Sequence, residues 1–258
     1  MSEKKVYGMV NPLPLPGSFG YTGCSIDVII ESAMKEAGAL AEAGFDGFIL
    51  QDFNDGPVRQ KAETATIAAM SVVARELKRA FPTKSLGILL LWDGVGSLDV
   101  AVASGADFIR IEHGYTRAEM TCCGILEACC EAVCKERKLL NSDIPVYADI
   151  FEPHSMHILP CSFEESLSET LTYARADGAF ITGVNADESL RLGQRARELF
   201  PDTYLCLGGG ATGDNAYEMA KIFDSIVVGS WIKCGNLTGP IDKERAALFI
   251  KEVRRAER

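Results

Sequence analysis

Short β-branched or apolar runs alternate with longer segments in which apolar positions recur every three to four residues, from one end of the chain to the other. A short apolar run suits a strand with buried faces and a 3.6-residue period suits a helix with one buried face, so the pattern reads as repeated βα units around a parallel sheet. Eight strands are expected, at Val6–Asn11, Gly47–Gln51, Leu86–Leu91, Phe108–Glu112, Val146–Ile150, Ala179–Thr182, Tyr204–Leu207 and Ser225–Val228. The helical patterns fall at Asp27–Ala43, Lys61–Ala80, Leu98–Ser104, Cys123–Arg137, Phe163–Ala176, Asp187–Phe200, Asn215–Ile222 and Lys243–Arg255. Gly44 closes the first helix, and Asp107 and Asp177 turn the chain into the strands that follow them.

Eight such units in 258 residues favour a closed (β/α)8 TIM barrel, for which about 250 residues is typical. An open doubly wound sheet would carry G-x-G-x-x-G directly after its first strand. Here that place holds Pro12, Pro14, Pro16 and Gly17, and proline has no N–H to offer a pyrophosphate. No Pro-, Gly- or Ser-rich linker interrupts the pattern, so residues 1–258 read as one domain with its chemistry at the C-terminal ends of the strands.

Composition narrows the partners. Hydrophobic residues at 47% supply a large core, while a formal net charge of −10 argues against a nucleic-acid footprint, which needs a clustered positive face. No run approaches the roughly 20 apolar residues of a membrane span, and the N-terminal segment lacks the apolar stretch of a signal peptide, so a cytoplasmic protein without membrane insertion is expected. Nine cysteines in that setting read as reduced thiols. Five crowd into 122–134, but with no CxxC pair and no histidine among them they read as small buried hydrophobes of the fourth helix rather than a metal site.

The sharpest local signal is Leu207-Gly208-Gly209-Gly210-Ala211-Thr212 after strand seven, followed by Val228-Gly229-Ser230 after strand eight. Glycine lets backbone N–H groups close on an anion, which makes Gly208, Gly209, Gly210, Gly229 and Ser230, with the nearby Lys233, candidate phosphate ligands. A lone triple glycine is equally a tight turn; a second glycine-bearing end on the neighbouring strand shifts the reading towards an anion site.

Acidic and imidazole groups also fall at strand ends. Glu112, Asp149 and His154 are candidate catalytic residues, and Asp52, Asp93, Arg110 and His113 candidate substrate contacts. Converging on one mouth, they suit proton transfer or an oxygen-rich divalent metal site. Each has a structural alternative, Asp52 and Asp93 as helix caps and Asp149 as a partner for loop backbone. By period-two alternation Arg110 shares a face with Glu112, and the two can pair. None of the strand runs holds a lysine for Schiff-base chemistry, and no imidazole lies near Cys206 or Cys234 in sequence.

With NPLPLPGS at 11–18, AGFDGFILQDFNDGP at 43–57, GADFIRIEHG at 105–114, YADI at 147–150, LGGGAT and VVGSWIK, the chain resembles the BtpA/SgcQ family over nearly its whole length. The resemblance implies a barrel of the ribulose-phosphate-binding type, similar in architecture to enzymes of phosphorylated sugars and related metabolites. Functional labels in that family range from a photosystem I biogenesis factor to a sugar-pathway enzyme. Asp55, Pro57, Asp149, His154 and the glycine loops match the family pattern, whereas Gln51, Asp52, Trp92, Asp93, Glu112 and Pro153 depart from it at the expected mouth. Two functions are therefore carried forward: an isomerase, epimerase or lyase acting on a phosphorylated sugar or similar metabolite, and a non-catalytic assembly factor that retains the anion site. A homo-oligomer is expected, as is common for such barrels.

Overall fold

The structure is a computed structural model and describes residues 3–257. The domain span read from sequence also includes Met1, Ser2 and Arg258, which lie outside the described residues. Eight strands, β1 (Lys5–Val10), β2 (Gly47–Gln51), β3 (Ser85–Leu89), β4 (Phe108–Ile111), β5 (Val146–Ile150), β6 (Gly178–Ile181), β7 (Tyr204–Leu207) and β8 (Ser225–Val228), pair in parallel with their sequence neighbours. The β1–β8 pairing closes the ring. Around it lie α1 (Ile26–Ala43), α2 (Thr64–Ala80), α3 (Gly94–Ser104), α4 (Cys130–Leu139), α5 (Phe163–Ser168, continued by a π turn at Glu169–Tyr173), α6 (Ala186–Leu199), α7 (Ala216–Ile222) and α8 (Lys243–Arg255). No helix among the described residues is long and apolar enough to cross a membrane.

Alternation along the strands builds two cores. Outward residues such as Val6, Phe48, Ile88, Ile109, Ala148, Ile181, Leu205 and Ile226 pack beneath the helices. Inward residues fill the barrel with an aromatic layer in which Phe108 lies 5.1 Å from Tyr7 and 5.4 Å from Tyr147, and Tyr147 stacks 5.1 Å from Tyr204. Rings of this size fit only because a neighbour yields: a Cβ on Gly87 would stand 2.3 Å from the Phe108 ring.

The closed end of the barrel, at the strands' N-terminal ends, is held by four aspartates. Asp46, Asp107, Asp177 and Asp224 stand immediately before β2, β4, β6 and β8. Each donates its backbone N–H to a carbonyl of the preceding strand (Val6, Leu86, Val146, Leu205) and accepts the same residue's N–H on its carboxylate at 2.7–2.9 Å. Each is also paired with a helix cation, Arg254, Lys78, Arg137 and Arg197 respectively.

Three elements differ from the sequence reading. Residues expected to open the fourth helix instead form a hairpin, Glu119–Thr121 with Gly124–Leu126, to which Met156–His157 adds a third antiparallel strand. The cysteine-rich run had supplied apolar positions without fixing their period, and α4 begins only at Cys130. Cys122 and Cys123 are consequently exposed rather than buried in a helix. Helix α3 starts four residues earlier than expected, because Asp93 caps it by accepting from Gly96 N at 2.8 Å.

Candidate functional site at the barrel mouth

The C-terminal ends of the strands surround a cavity of about 930 Å³ lined by Arg110, Glu112 and His113 on one side and by Thr182, Gly208–Gly210, Gly229 and Ser230 on the other. Its floor is a charge pair. Arg110 on β4 points inward and grips Asp149 on β5 with two hydrogen bonds of 2.8 Å, Nε to Oδ2 and Nη2 to Oδ1. The guanidinium lies 4.5 Å over the Phe180 ring, donates weakly to Gly208 O at 3.4 Å and stands 3.7 Å from Glu112 Oε1. The pairing of Arg110 with Glu112 that alternation suggested is thus present, as the longer of two contacts.

Burial pushes the Asp149 carboxyl up to about 7 against the pull of the Arg110 guanidinium. For Arg110, burial works the other way, and Asp149 outweighs it and holds the guanidinium protonated. Burial and the guanidinium thus pull the carboxyl in opposite directions, and the pair of bonds fixes Arg110 in place beneath the cavity.

The glycine loop is built into this floor. A Cβ on Gly208 would come within 2.6 Å of Thr182 Oγ1, 3.0 Å of Arg110 Nη2 and 3.2 Å of Asp149 Oδ1, so the first glycine of the run exists for close approach. Gly208→Ala is accordingly expected to cost about 1–3 kcal/mol in urea denaturation, the usual toll of overpacking; an unchanged midpoint would show that the loop has room. Gly210 takes a left-handed φ of 75°. The amides of Gly209, Gly210 and Ser230 donate to no acceptor among the described residues. Thr182 Oγ1 is buried without a partner among the described residues, and Leu91 and Phe151, at the mouth ends of β3 and β5, hold positive φ values of 24° and 58°. Strain and unpaired polar groups of this kind collect at functional sites.

A second layer forms behind Glu112. His113 is buried, with Nδ1 3.1 Å from Glu119 Oε2 and Nε2 3.7 Å from Glu152 Oε2. Glu119 also accepts from Ser155 Oγ at 2.5 Å and lies 3.5 Å from His157 Nε2, so it ties the hairpin to the loops after β4 and β5. Burial opposes the ionisation of Glu119, but the bonds from His113, His157 and Ser155 prevail and hold it down to about 2. Burial likewise opposes the His113 imidazolium, and the bond to Glu119 with the nearby Glu112 and Glu152 raises it above its ordinary value. His154 stands at the rim, largely exposed, with its ring 2.5 Å from Glu152 Oε1. Glu119 and Glu152 were not singled out from sequence: Glu119 opens a three-residue strand too short to show alternation, and Glu152 lies in the loop after β5, where no periodicity marks an inward face.

Other expectations are corrected. Lys233 is fully buried and does not face the mouth; its Nζ donates to Glu36 Oε1 at 2.8 Å and to Leu237 O, while Glu36 Oε2 takes the N–H of Asn11. It ties α1 to the loop after β8 because a buried ammonium needs its counter-ion close. Asp52 and Asp93 line a separate pocket of about 270 Å³ with Asp55, beyond a wall of Pro57, Val58 and Leu91. Asp93 is the α3 cap and also accepts Ala62 N, and Asp52 accepts the N–H of the strained Leu91 at 2.8 Å. Among the described residues no group of three or more His, Cys, Asp or Glu is arranged to hold a metal ion.

The closed ring of eight parallel strands with helices around it is the (β/α)8 TIM-barrel fold. Its solved likenesses include phosphoribosyl anthranilate isomerase from Thermotoga maritima (TM-score 0.59, 14% identity, covering 98% of this chain and 100% of that one) and 3-hexulose-6-phosphate synthase from Salmonella typhimurium (TM-score 0.57, 13% identity, 98% and 99%). The chain belongs to the BtpA family, which it matches over residues 2–255. Relatives include an uncharacterized protein of Methanocaldococcus jannaschii, 36% identical over 96% of this chain and 94% of its own, and the photosystem I biogenesis protein BtpA of Synechocystis sp., 30% identical over 98% and 88%.

Proposed function

We propose that the protein is an enzyme that anchors a phosphorylated sugar or similar small metabolite by its phosphate and moves a proton on the carbon skeleton, as an isomerase, epimerase or lyase. The observation that carries this reading is the contact between the two halves of the mouth: Gly208, which opens the anion loop, packs directly against the Arg110–Asp149 pair. A phosphate on the free amides of Gly209, Gly210 and Ser230 puts the rest of the molecule over Glu112 and Arg110. Glu112, whose carboxylate lines the cavity, takes the proton; Arg110 meets the oxyanion that develops; Asp149 is the buried partner that keeps Arg110 oriented. His154 at the rim exchanges protons with solvent. Binding energy from the remote phosphate positions the reacting carbon, which is how such sites raise the rate.

The test is thermal unfolding with inorganic phosphate and a panel of phosphorylated sugars. A ligand at one hundred times its Kd adds about 2.7 kcal/mol, which for a chain of this size raises Tm by roughly 5–10 °C. Gly209→Asp and Ser230→Asp are expected to abolish the shift, while Glu112→Gln keeps it and lowers turnover about 100-fold or more. No shift with any anion in the folded protein would overturn the proposal.

One observation favours the assembly-factor reading. A groove of about 600 Å³ between the loops after β5 and β6 is edged by Met156 and Val184, which are 70% and 75% exposed, with Leu159 at 72% beside it in the β5 loop. Apolar surface of this kind serves protein contacts. If that role dominates, Met156→Glu with Val184→Asp removes the biological function while Glu112→Gln leaves it intact.

A further inference from the structure

The hairpin beside the mouth carries thiols that the proposed chemistry does not use. Thr121 pairs with Gly124, which makes Cys122 and Cys123 the two residues of the turn. Their Sγ atoms are 3.7 Å apart, both residues are exposed, and both line the mouth cavity. Thr121 braces the turn, its hydroxyl donating to Gly124 O at 3.0 Å and accepting Cys123 N at 3.2 Å. The left-handed φ of the loop falls on Gly124, at 115°, so backbone geometry makes no demand for cysteine at either position; two-residue hairpin loops favour Asn, Asp and Gly. The base of the hairpin is pinned by Glu119 to His113, Ser155 and His157, which holds the pair in place at the rim.

Cys206 and Cys129 are of a different kind. Cys206 is sealed in the barrel floor, and burial pushes the Cys129 thiol up to about 12, far from a reactive thiolate. The hydrogen bond with Cys122 raises Cys123 above its ordinary value, which suits it to act second.

We propose that Cys122 and Cys123 form a redox-active vicinal dithiol at the rim of the mouth that closes reversibly to a disulfide, with a small-molecule disulfide as the oxidant. The thiolate of Cys122 attacks one sulfur of the small disulfide, breaking its S–S bond, forming a mixed disulfide and releasing one small thiol. Cys123 then gives up its proton and attacks the Cys122 sulfur, forming the Cys122–Cys123 bond and expelling the second small thiol. Two protein thiols are oxidised by two electrons and one small disulfide is reduced to two thiols.

The experiment treats the reduced full-length protein with oxidised glutathione in the presence of EDTA and reads intact mass and fragment masses; it needs no substrate, so its outcome is separate from that of the phosphate assay. Loss of two hydrogens located at residues 122–123, reversed by dithiothreitol, is the expected result. Cys123→Ser is expected to accumulate a single stable glutathione on Cys122, because the resolving thiol is gone. Wild-type protein that retains two alkylatable thiols at 122–123, carries a stable glutathione on each, or places its disulfide between Cys130 and Cys134 would overturn the proposal.

Discussion

Replacing Arg110 by Met is expected to lower the unfolding free energy by about 3–5 kcal/mol, the cost of leaving a buried charge without its partner. Asp149 is buried and receives two 2.8 Å bonds from the guanidinium that a methionine cannot supply. The double variant Arg110→Met with Asp149→Leu should recover most of the loss, since an apolar pair of similar volume carries no desolvation penalty. Arg110→Lys keeps the charge but not the two-pronged geometry, and is expected to fall between them. Urea denaturation of the four proteins at pH 8 decides the matter; equal midpoints for wild type and Arg110→Met would show that the pair contributes nothing. The penalty of the single variant should shrink at pH 5.5, where Asp149 can be protonated and enter the interior neutral.

The second large effect is a fall in stability from pH 5 to pH 8.5. Burial, reinforced by Asp55, pushes Asp52 up to about 8, and burial pushes Asp55 to about 6 and Asp149 to about 7. Each folded value lies above the unfolded one, so the stability each contributes is complete below the unfolded carboxylate range and is lost as pH rises through the folded value. The raised His113 has the same sign. Glu119, held down to about 2, contributes stability that is constant through this window and is lost only in acid. Asp52→Asn separates the largest contributor: the amide oxygen can still accept Leu91 N, so the stability of the variant relative to wild type should rise between pH 5 and pH 8.5 by on the order of 3 kcal/mol. Calorimetry at the two pH values tests this, and a wild-type Tm that does not fall between them would refute it.

The barrel was legible because its strands alternate between two apolar surfaces and its helices repeat on one, and both signals survive without knowledge of any contact. The fourth unit was misread where that signal is degenerate: Cys122 to Cys130 offers apolar positions that satisfy a helix as readily as a hairpin. At the site, alternation set Arg110 beside Glu112, but the stronger partner lies 39 residues away on β5, a distance no local pattern encodes. Lys233 was misassigned for the same reason. It follows a glycine end in sequence, yet its counter-ion Glu36 is 197 residues earlier on α1. Asp93 took the structural alternative open to it and caps α3, whereas Asp52 makes no side-chain cap bond and holds the N–H of Leu91 on a neighbouring strand end instead.

The four aspartates beneath the barrel give the molecule two unlike ends. There, at the strands' N-terminal ends, a fourfold near-symmetry holds: each quarter is a strand, a helix, a strand and a helix, stapled by one carboxylate to the preceding strand and by one cation to a helix. At the mouth that symmetry is gone, because a proline-rich loop, a carboxylate pocket, a hairpin and a glycine run follow the odd and even strands without repetition. One end can therefore keep a single solution four times over and hold the ring shut, which leaves each loop at the other end free to be rewritten by itself.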